Sequence, residues 1–327
     1  MKRFLALALA LASCGPSPPP QPPGPPAVAL HLDDACALAP AAGLAWIVDA
    51  RPRTIAETAD LIPAMNTVIP EERFKAFSEG HGGIDLRQVQ QLCVAGYATS
   101  TLAVVRSPFD AARIERTFTD RVTKDFARAV DVVNPPVVRM WGDVGGESQQ
   151  LVLFGRDALA FEDGKGAAAR VAEAFALGKL KRAAPALHGA ALEGAAQRLG
   201  DAPVRLFAPG PFEGATAQGL GGLLRATTAI AASARFAGPP ARIAVRLVLM
   251  GAWGDDASAA GERLSAAVHV VSESSLGRLL GLNAPLEPVQ VRISPDVLVV
   301  ETVLDGALLA RGLHDALDAE VGEILRR

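Results

Sequence analysis

The chain has 327 residues, half of them apolar, and its formal net charge at pH 7 is −3. A chain of this size can bury one large or two medium hydrophobic cores, and its apolar content is too high for a disordered protein. The slightly negative charge provides no basic field, so nucleic acid is not an expected partner.

The first element is a short apolar segment behind a basic start. Met1, Lys2 and Arg3 are followed by an apolar run over residues 4–12. Such a run is too short to cross a bilayer as a helix, and a basic start followed by a short apolar stretch is typical of an export signal. The sequence therefore predicts a signal peptide over residues 1–13.

The segment ends in Leu11, Ala12, Ser13 and Cys14. This tetrad resembles the lipobox of bacterial lipoproteins, which has an aliphatic residue, two small residues and a cysteine. The resemblance implies cleavage before Cys14, lipidation of its thiol and acylation of the new amino terminus, for example with palmitate. The alternative is an ordinary secretory signal cut after residues 10–12, which would leave Cys14 as a plain thiol.

The lipobox also implies a location, and beyond it the chain resembles only uncharacterised envelope lipoproteins. Gly15 follows Cys14, where an Asp commonly retains lipoproteins at the inner membrane. The expected location is therefore the cell envelope, lipid-anchored at the outer membrane and facing the periplasm. Exposure on the cell surface stays open as an alternative.

A proline-rich tether follows over residues 14–26. Eight of the eleven residues from 16 to 26 are proline, so this stretch can form neither a helix nor a sheet ladder. Polyproline II is the expected conformation, and it makes a semi-rigid spacer between the membrane and the folded body. A ligand for aromatic grooves is the alternative role for such a stretch.

Cys36 and Cys93 are the two cysteines that remain. A disulfide persists in the oxidising compartment outside the inner membrane, so we expect these two residues to be bonded to each other. Two buried free thiols are the alternative.

The body alternates predicted strands with predicted helices. A capping box at residues 54–57 predicts the start of a helix that runs to residue 68. Ser107 is the expected N-cap of a later helix, with Pro108 at its first position. The other first-half elements are predicted strands over residues 44–50, 91–97, 102–106, 137–141, 149–154 and 158–161, and predicted helices over residues 70–79 and 166–177.

The second half repeats part of this pattern. Residues 157–162 and 296–301 share the frame Asp-x-Leu-x-x-Glu, and residues 45–49 correspond to residues 204–208. We therefore expect an internal duplication into two α+β halves, residues 27–182 and 183–327. Each half should form a mostly antiparallel sheet with helices packed on one face. Chance similarity between Ala-, Leu- and Val-rich elements is the alternative.

No motif points to catalysis, a metal or a cofactor. The glycine-rich segment 80–83 slightly resembles the oxyanion loop of esterases, but without a nucleophile elbow it predicts a helix exit. The five histidines are scattered, and His269 is predicted to be half-buried. Asp255 and Asp256 suit a helix N-terminus, and residues 219–222 are expected to form a close-packed helix surface.

The sequence therefore predicts a lipid-anchored envelope protein with a non-enzymatic binding or structural role. Expected partners are the membrane, through the lipid, and an envelope protein, a glycan or a lipid. Two alternatives stay open, a periplasmic carrier of an apolar ligand and an envelope hydrolase with dispersed active-site residues.

Overall fold

The described part of the chain is built on one continuous antiparallel sheet of twelve strands. The structure is a computed structural model that describes residues 29–131, 133–180 and 183–324. The strands are β1 (Leu44–Ala50), β2 (Gln91–Tyr97), β3 (Ser100–Arg106), β4 (Lys124–Asp131), β5 (Val137–Val144), β6 (Glu147–Phe154), β7 (Ala158–Gly164), β8 (Val204–Pro209), β9 (Thr227–Gly238), β10 (Arg242–Gly251), β11 (Glu287–Ser294) and β12 (Val297–Asp305).

Helices connect the strands and cover the sheet. The α-helices are α1 (Pro52–Ala56), α2 (Ile62–Val68), α3 (Glu71–Gly80), α4 (Ala111–Arg121), α5 (Ala168–Ala176), α6 (Ala190–Leu199), α7 (Ala257–Glu273), α8 (Ser275–Leu279) and α9 (Gly306–Ile324). Short 3-10 helices lie at Ala35–Leu38, Ala59–Leu61, Leu86–Gln88, Ala186–His188, Thr216–Ala226 and Gly254–Asp256.

The strand order divides the sheet into two similar halves. The order is β11-β12-β10-β9-β8-β1-β2-β3-β7-β6-β5-β4, so the halves meet where β1 pairs with β8. In each half the first three strands are neighbours, and the last strand pairs with the third, as β7 does with β3 and β12 with β10. The α+β class and the antiparallel pairing are confirmed, and the shared strand order is what the predicted duplication requires. The first half adds the β4–β5 hairpin.

Each face of the sheet carries its own core. We name the face that bears Cys93 the disulfide face and the other the cavity face. Helices α5 and α6 pack on the disulfide face, whereas α4 and α7 pack on the cavity face. The prediction that helices lie on one face of the sheet was wrong. Strands such as β6, where Leu151, Val152 and Leu153 are all buried, need cover on both sides.

Two predicted helix starts were wrong. Helix α1 begins at Pro52 and ends at Ala56, and the Glu57 carboxylate accepts a hydrogen bond from Arg53 Nε at 2.7 Å instead of closing a capping box. Helix α4 is capped by Asp110, whose carboxylate accepts from the Arg113 N–H at 3.2 Å. The N–H of Phe109 donates a hydrogen bond to the carbonyl of Arg156, in the turn between β6 and β7. The chain at Phe109 is therefore not yet helical, although the sequence predicted helix there.

Three other expectations also differ from the structure. Strand β4 was not predicted, because its exposed residues carry no strong apolar alternation. Residues 219–222 form a turn instead of a helix surface, with positive φ at Leu220, Gly221 and Gly222. His269 is exposed on α7 instead of half-buried, since the apolar run that contains it belongs to a helix with one face in solvent.

Glu162 fixes the start of α5 on the disulfide face. Its side chain is fully buried. One carboxylate oxygen accepts from Ser100 Oγ at 2.7 Å and from the Ala168 N–H at 3.1 Å. The other accepts from the Ala169 N–H at 2.9 Å. A carboxylate at a helix N-terminus satisfies free N–H groups and suits the helix dipole, so Glu162 explains why α5 starts here.

Replacing Glu162 with alanine should lower the free energy of unfolding by about 3 kcal/mol, because a buried hydroxyl and two helix N–H groups lose their acceptor. Urea unfolding followed by circular dichroism measures this loss. The matched control is Glu301→Ala, at the same position of the Asp-x-Leu-x-x-Glu frame, where the carboxylate is 27% exposed and pairs with Arg292. The control should lose less than about 1 kcal/mol, and equal losses would contradict the prediction.

Candidate functional site

The predicted disulfide between Cys36 and Cys93 is present, with the two Cα atoms 5.2 Å apart. Both residues are buried. The bond ties the 3-10 helix Ala35–Leu38 to β2, and Gln91 supports the same contact by accepting from the Ala35 N–H at 2.9 Å. Cys14, the predicted lipidation site, lies outside the described residues.

An ion pair lies beside the disulfide at the joint between the halves. Asp49 of β1 faces Cys93 on one neighbouring strand and Arg205 on the other. Its carboxylate is 1% exposed and accepts from Arg205 Nε at 3.0 Å. Gln91 Nε2 donates to the other oxygen at 3.0 Å. These contacts occupy the carboxylate within the fold and leave no reactive group facing solvent there.

An apolar cavity of about 340 Å³ lies between α1, α2, α9 and the cavity face. We name it the apolar cavity. Arg235 is the one charged residue among its described lining residues, which include no His, Asp or Glu. Its apolar lining comprises Ile55, Leu61, Ala64, Met65, Val68, Ile69, Pro203, Val204, Ala234, Phe236, Ile243, Leu309, Ala310 and Leu313.

The turn from β12 into α9 places one wall of the apolar cavity. Asp305 caps α9 by accepting from the Ala307 N–H at 2.7 Å, so the helix starts immediately after the strand. Gly306 is required in this turn, because a Cβ there would collide with the carbonyl oxygen of Ala241. The tight turn directs α9 against α2, and the space left between the two helices and the sheet is the cavity.

The apolar cavity is open to solvent. Leu313, in its lining, is 39% exposed, and Met65, Phe236 and Ile243 are only partly buried. These apolar side chains are partly exposed to water. Covering them with an apolar ligand buries their surface and lowers the free energy of the complex. The cavity can therefore bind an apolar chain, but it brings together no groups for acid–base or nucleophilic chemistry.

A second cavity, of about 380 Å³, lies on the disulfide face of the second half. We name it the polar groove, and its charged lining residues are Asp201, Arg235, Arg246, Glu287, Arg292 and Glu301. Arg292 Nη2 lies 2.6 Å from Glu301 Oε2, and Arg246 Nε lies 3.5 Å from Glu301 Oε1. Glu287 pairs with Arg242.

Asp201 lines the polar groove and is held by Arg51. The Arg51 guanidinium donates to both oxygens of Asp201, at 2.9 and 2.7 Å. These hydrogen bonds lower the pKa of Asp201 below its usual range, because they favour the ionised carboxylate. The charge of Asp201 is thus neutralised within the protein.

The residues that the sequence singled out for chemistry have structural roles. Gly82 and Gly83 adopt positive φ just after α3, which confirms the helix exit. Asp255 and Asp256 lie in the turn that leads into α7, as predicted. In the described part of the chain, no group of three or more His, Cys, Asp or Glu residues could hold a metal ion. No described helix is long and apolar enough to cross a membrane.

Sequence reasoning missed the residues of both cavities. Met65 and Val68 on one helix and Leu309 and Leu313 on another have the i, i+3 and i, i+4 spacing of a buried helix face. That spacing is the same whether the face meets a packed core or an open cavity. Only the distance between α2 and α9, which depends on the turn at Gly306, separates the two cases.

Comparisons with known proteins assign no family. No family model matches the chain, and no curated protein matches it. It is similar to the structure of crystal form III of TP0453, at 11% identity and a TM-score of 0.49, over 87% of this chain and 98% of that one. For crystal form IV of TP0453 the identity is 9%, the TM-score 0.48 and the coverage 86% and 96%. Similarity at this level transfers neither a ligand nor an activity.

Proposed function

We propose that this protein is a lipid-anchored protein of the cell envelope with a non-enzymatic binding role, and that its ligand is an acyl chain held in the apolar cavity. The observation that carries the proposal is the open apolar cavity between α2, α9 and the sheet. Its volume of about 340 Å³ lies at the lower end of the range of about 300 to 1,000 Å³ for small-molecule sites. This size suits one acyl chain.

The favourable free energy of acyl-chain binding comes from the burial of apolar surface on both the ligand and the protein. Each methylene removed from water contributes about 0.8 kcal/mol, and the partly exposed side chains of Met65 and Ile243 would lose solvent contact as well. A chain of about eight buried methylenes would supply about 6 kcal/mol before the costs of association. This balance favours reversible binding, which suits a carrier or sensor of lipids.

The proposed lipid anchor rests on the sequence of residues 11–14. It leads to a separate prediction. Wild-type protein expressed in its native envelope should incorporate radiolabelled palmitate, because the lipobox cysteine is the acceptor. Cys14→Ser should incorporate none and should be released into the soluble fraction. If the wild-type protein incorporates no label, the proposed lipid anchor is contradicted. The proposed acyl-chain site in the apolar cavity is not affected by that result.

Filling the apolar cavity should weaken acyl-chain binding at least tenfold, because excluding two methylenes costs about 1.6 kcal/mol. The variants are Met65→Trp and Leu309→Trp, in which a partly exposed lining residue of each helix is enlarged. The measurement is a titration with a fluorescent fatty acid, with competition by unlabelled palmitate.

The matched control for this titration is Ala307→Trp, which adds the same ring on an exposed position of α9. It should bind like the wild type. Thermal unfolding of all three variants checks that the fold is kept. If the wild-type protein shows no saturable binding of the fatty acid, the proposed function is overturned. It is also overturned if both cavity variants bind the fatty acid with unchanged affinity.

A further inference from the structure

Arg235 borders both cavities. It is among the lining residues of the apolar cavity on one face of the sheet and of the polar groove on the other. Strand β8 ends its pairing with β9 at the Val204–Ala234 pair, so β9 has no β8 partner from Arg235 onwards. Beside the segment 199–204, the edge of β9 at Arg235 therefore has no neighbouring β8 strand.

The guanidinium of Arg235 has no ion pair or hydrogen bond among the described residues, and its neighbours do not supply a spare anion. Asp201 pairs with Arg51 and Glu287 pairs with Arg242. The remaining charged lining of the polar groove is three guanidiniums, those of Arg235, Arg246 and Arg292, against the single carboxylate of Glu301. The groove thus has a surplus of positive charge.

Arg246 also has a hydrogen-bond donor that is not satisfied within the described part of the protein. Its Nε atom is buried and makes no hydrogen bond, although Glu301 lies 3.5 Å away. A buried N–H without an acceptor costs about 1 to 3 kcal/mol. The ion pair with Glu301 thus leaves this N–H of Arg246 unsatisfied.

The two halves differ where the polar groove lies. In the first half, Glu162 caps α5 on the disulfide face. In the second half, Glu301 occupies the same place in the strand, beside Gln290 as Glu162 is beside Gln150. Helix α9, however, packs against α2 beside the apolar cavity. The disulfide face at Glu301 thus lacks the helix that the first half carries, and this leaves the groove open.

We propose that the apolar cavity and the polar groove hold one ligand, a single-chain amphiphile with an anionic head group. This inference rests on the proposed function, because it places the acyl chain in the apolar cavity. The head group, a carboxylate or a phosphate, passes beside the edge of β9 and binds the guanidinium of Arg235. Arg246 and Arg292 contribute the surrounding positive charge.

The test compares anionic and neutral amphiphiles of one chain length in wild-type protein and in Arg235→Gln. The probes are palmitate, lysophosphatidate with a palmitoyl chain, neutral monopalmitoylglycerol and inorganic phosphate. Arg235→Gln should weaken both anionic probes about tenfold, because one charge-assisted hydrogen bond is lost. Its affinity for monopalmitoylglycerol should stay within about twofold of wild type. The matched control is Arg263→Gln, on an exposed position of α7, which should leave all affinities unchanged.

The outcomes separate this inference from the proposed function. Equal wild-type affinity for all three lipids, unchanged by Arg235→Gln, would overturn the head-group inference and leave the acyl-chain site standing. If Arg235→Gln weakens the affinity for the neutral and the anionic probes equally, Arg235 has a structural role. That result would also overturn the head-group inference. Inorganic phosphate that binds as tightly as lysophosphatidate would show a site for a free anion instead of one amphiphile. Binding of no lipid at all would overturn the proposed function itself.

Discussion

Replacing both Cys36 and Cys93 with alanine is expected to lower the free energy of unfolding by about 4 kcal/mol. The bond links residues that are 57 positions apart, and in the chain-entropy model a closed loop of that length removes about this much free energy from the unfolded state. Alanine is chosen because both positions are buried, where a serine hydroxyl would add a desolvation cost.

The measurement is urea unfolding of the full chain, followed by circular dichroism, for the wild type, the double variant and the reduced wild type. The reduced wild type is the control, because it keeps both side chains and loses only the cross-link. Its stability should fall close to that of the double variant. A loss below about 1 kcal/mol in both samples would contradict a stabilising role for the bond.

Replacing Arg205 with methionine should cost about 4 kcal/mol, because it leaves the carboxylate of Asp49 buried without its counter-charge. Asp49 is 1% exposed, so water cannot take the place of the guanidinium. Gln91 alone would remain as a donor to it. The same urea unfolding experiment measures the loss.

Two further variants give this prediction its controls. Arg246→Met removes a guanidinium from the same face of the sheet, but its partner Glu301 is partly exposed, so the loss should stay below about 1 kcal/mol. The double variant Asp49→Leu with Arg205→Met removes both charges and should recover most of the stability. If the double variant is as unstable as Arg205→Met, the cost does not come from an unpaired charge.

The parts of the fold that could be predicted from the sequence are those with a strong local pattern. The apolar runs of β1, β2 and β3 and the repeated frame at residues 157–162 and 296–301 predicted the strands and the two halves. Capping was predicted less well, because several polar residues precede α1 and α4, and the tertiary contacts of the chain choose among them. The bond from Phe109 to Arg156 is one such contact.

The candidate site could not be predicted, because it depends on long-range geometry. No local sequence pattern distinguishes helix α9 from helix α5. Helix α9 packs against α2, whereas α5 packs on the disulfide face. The difference arises at Gly306 and Asp305, which start α9 directly at the end of β12. The disulfide was predictable because only two cysteines remain after Cys14, so the pairing had a single solution.

The joint between β1 and β8 also bears on how the chain folds. Asp49 and Arg205 are 156 positions apart, whereas β2 with β3 and β9 with β10 pair through short hairpins. Contacts between distant residues form late as a rule, because loop closure costs entropy before they are made. Until β8 arrives, β1 is an open strand edge that another copy of the chain could pair with. The buried ion pair then selects the register, since a slip of one residue would move Asp49 to the other face of the sheet.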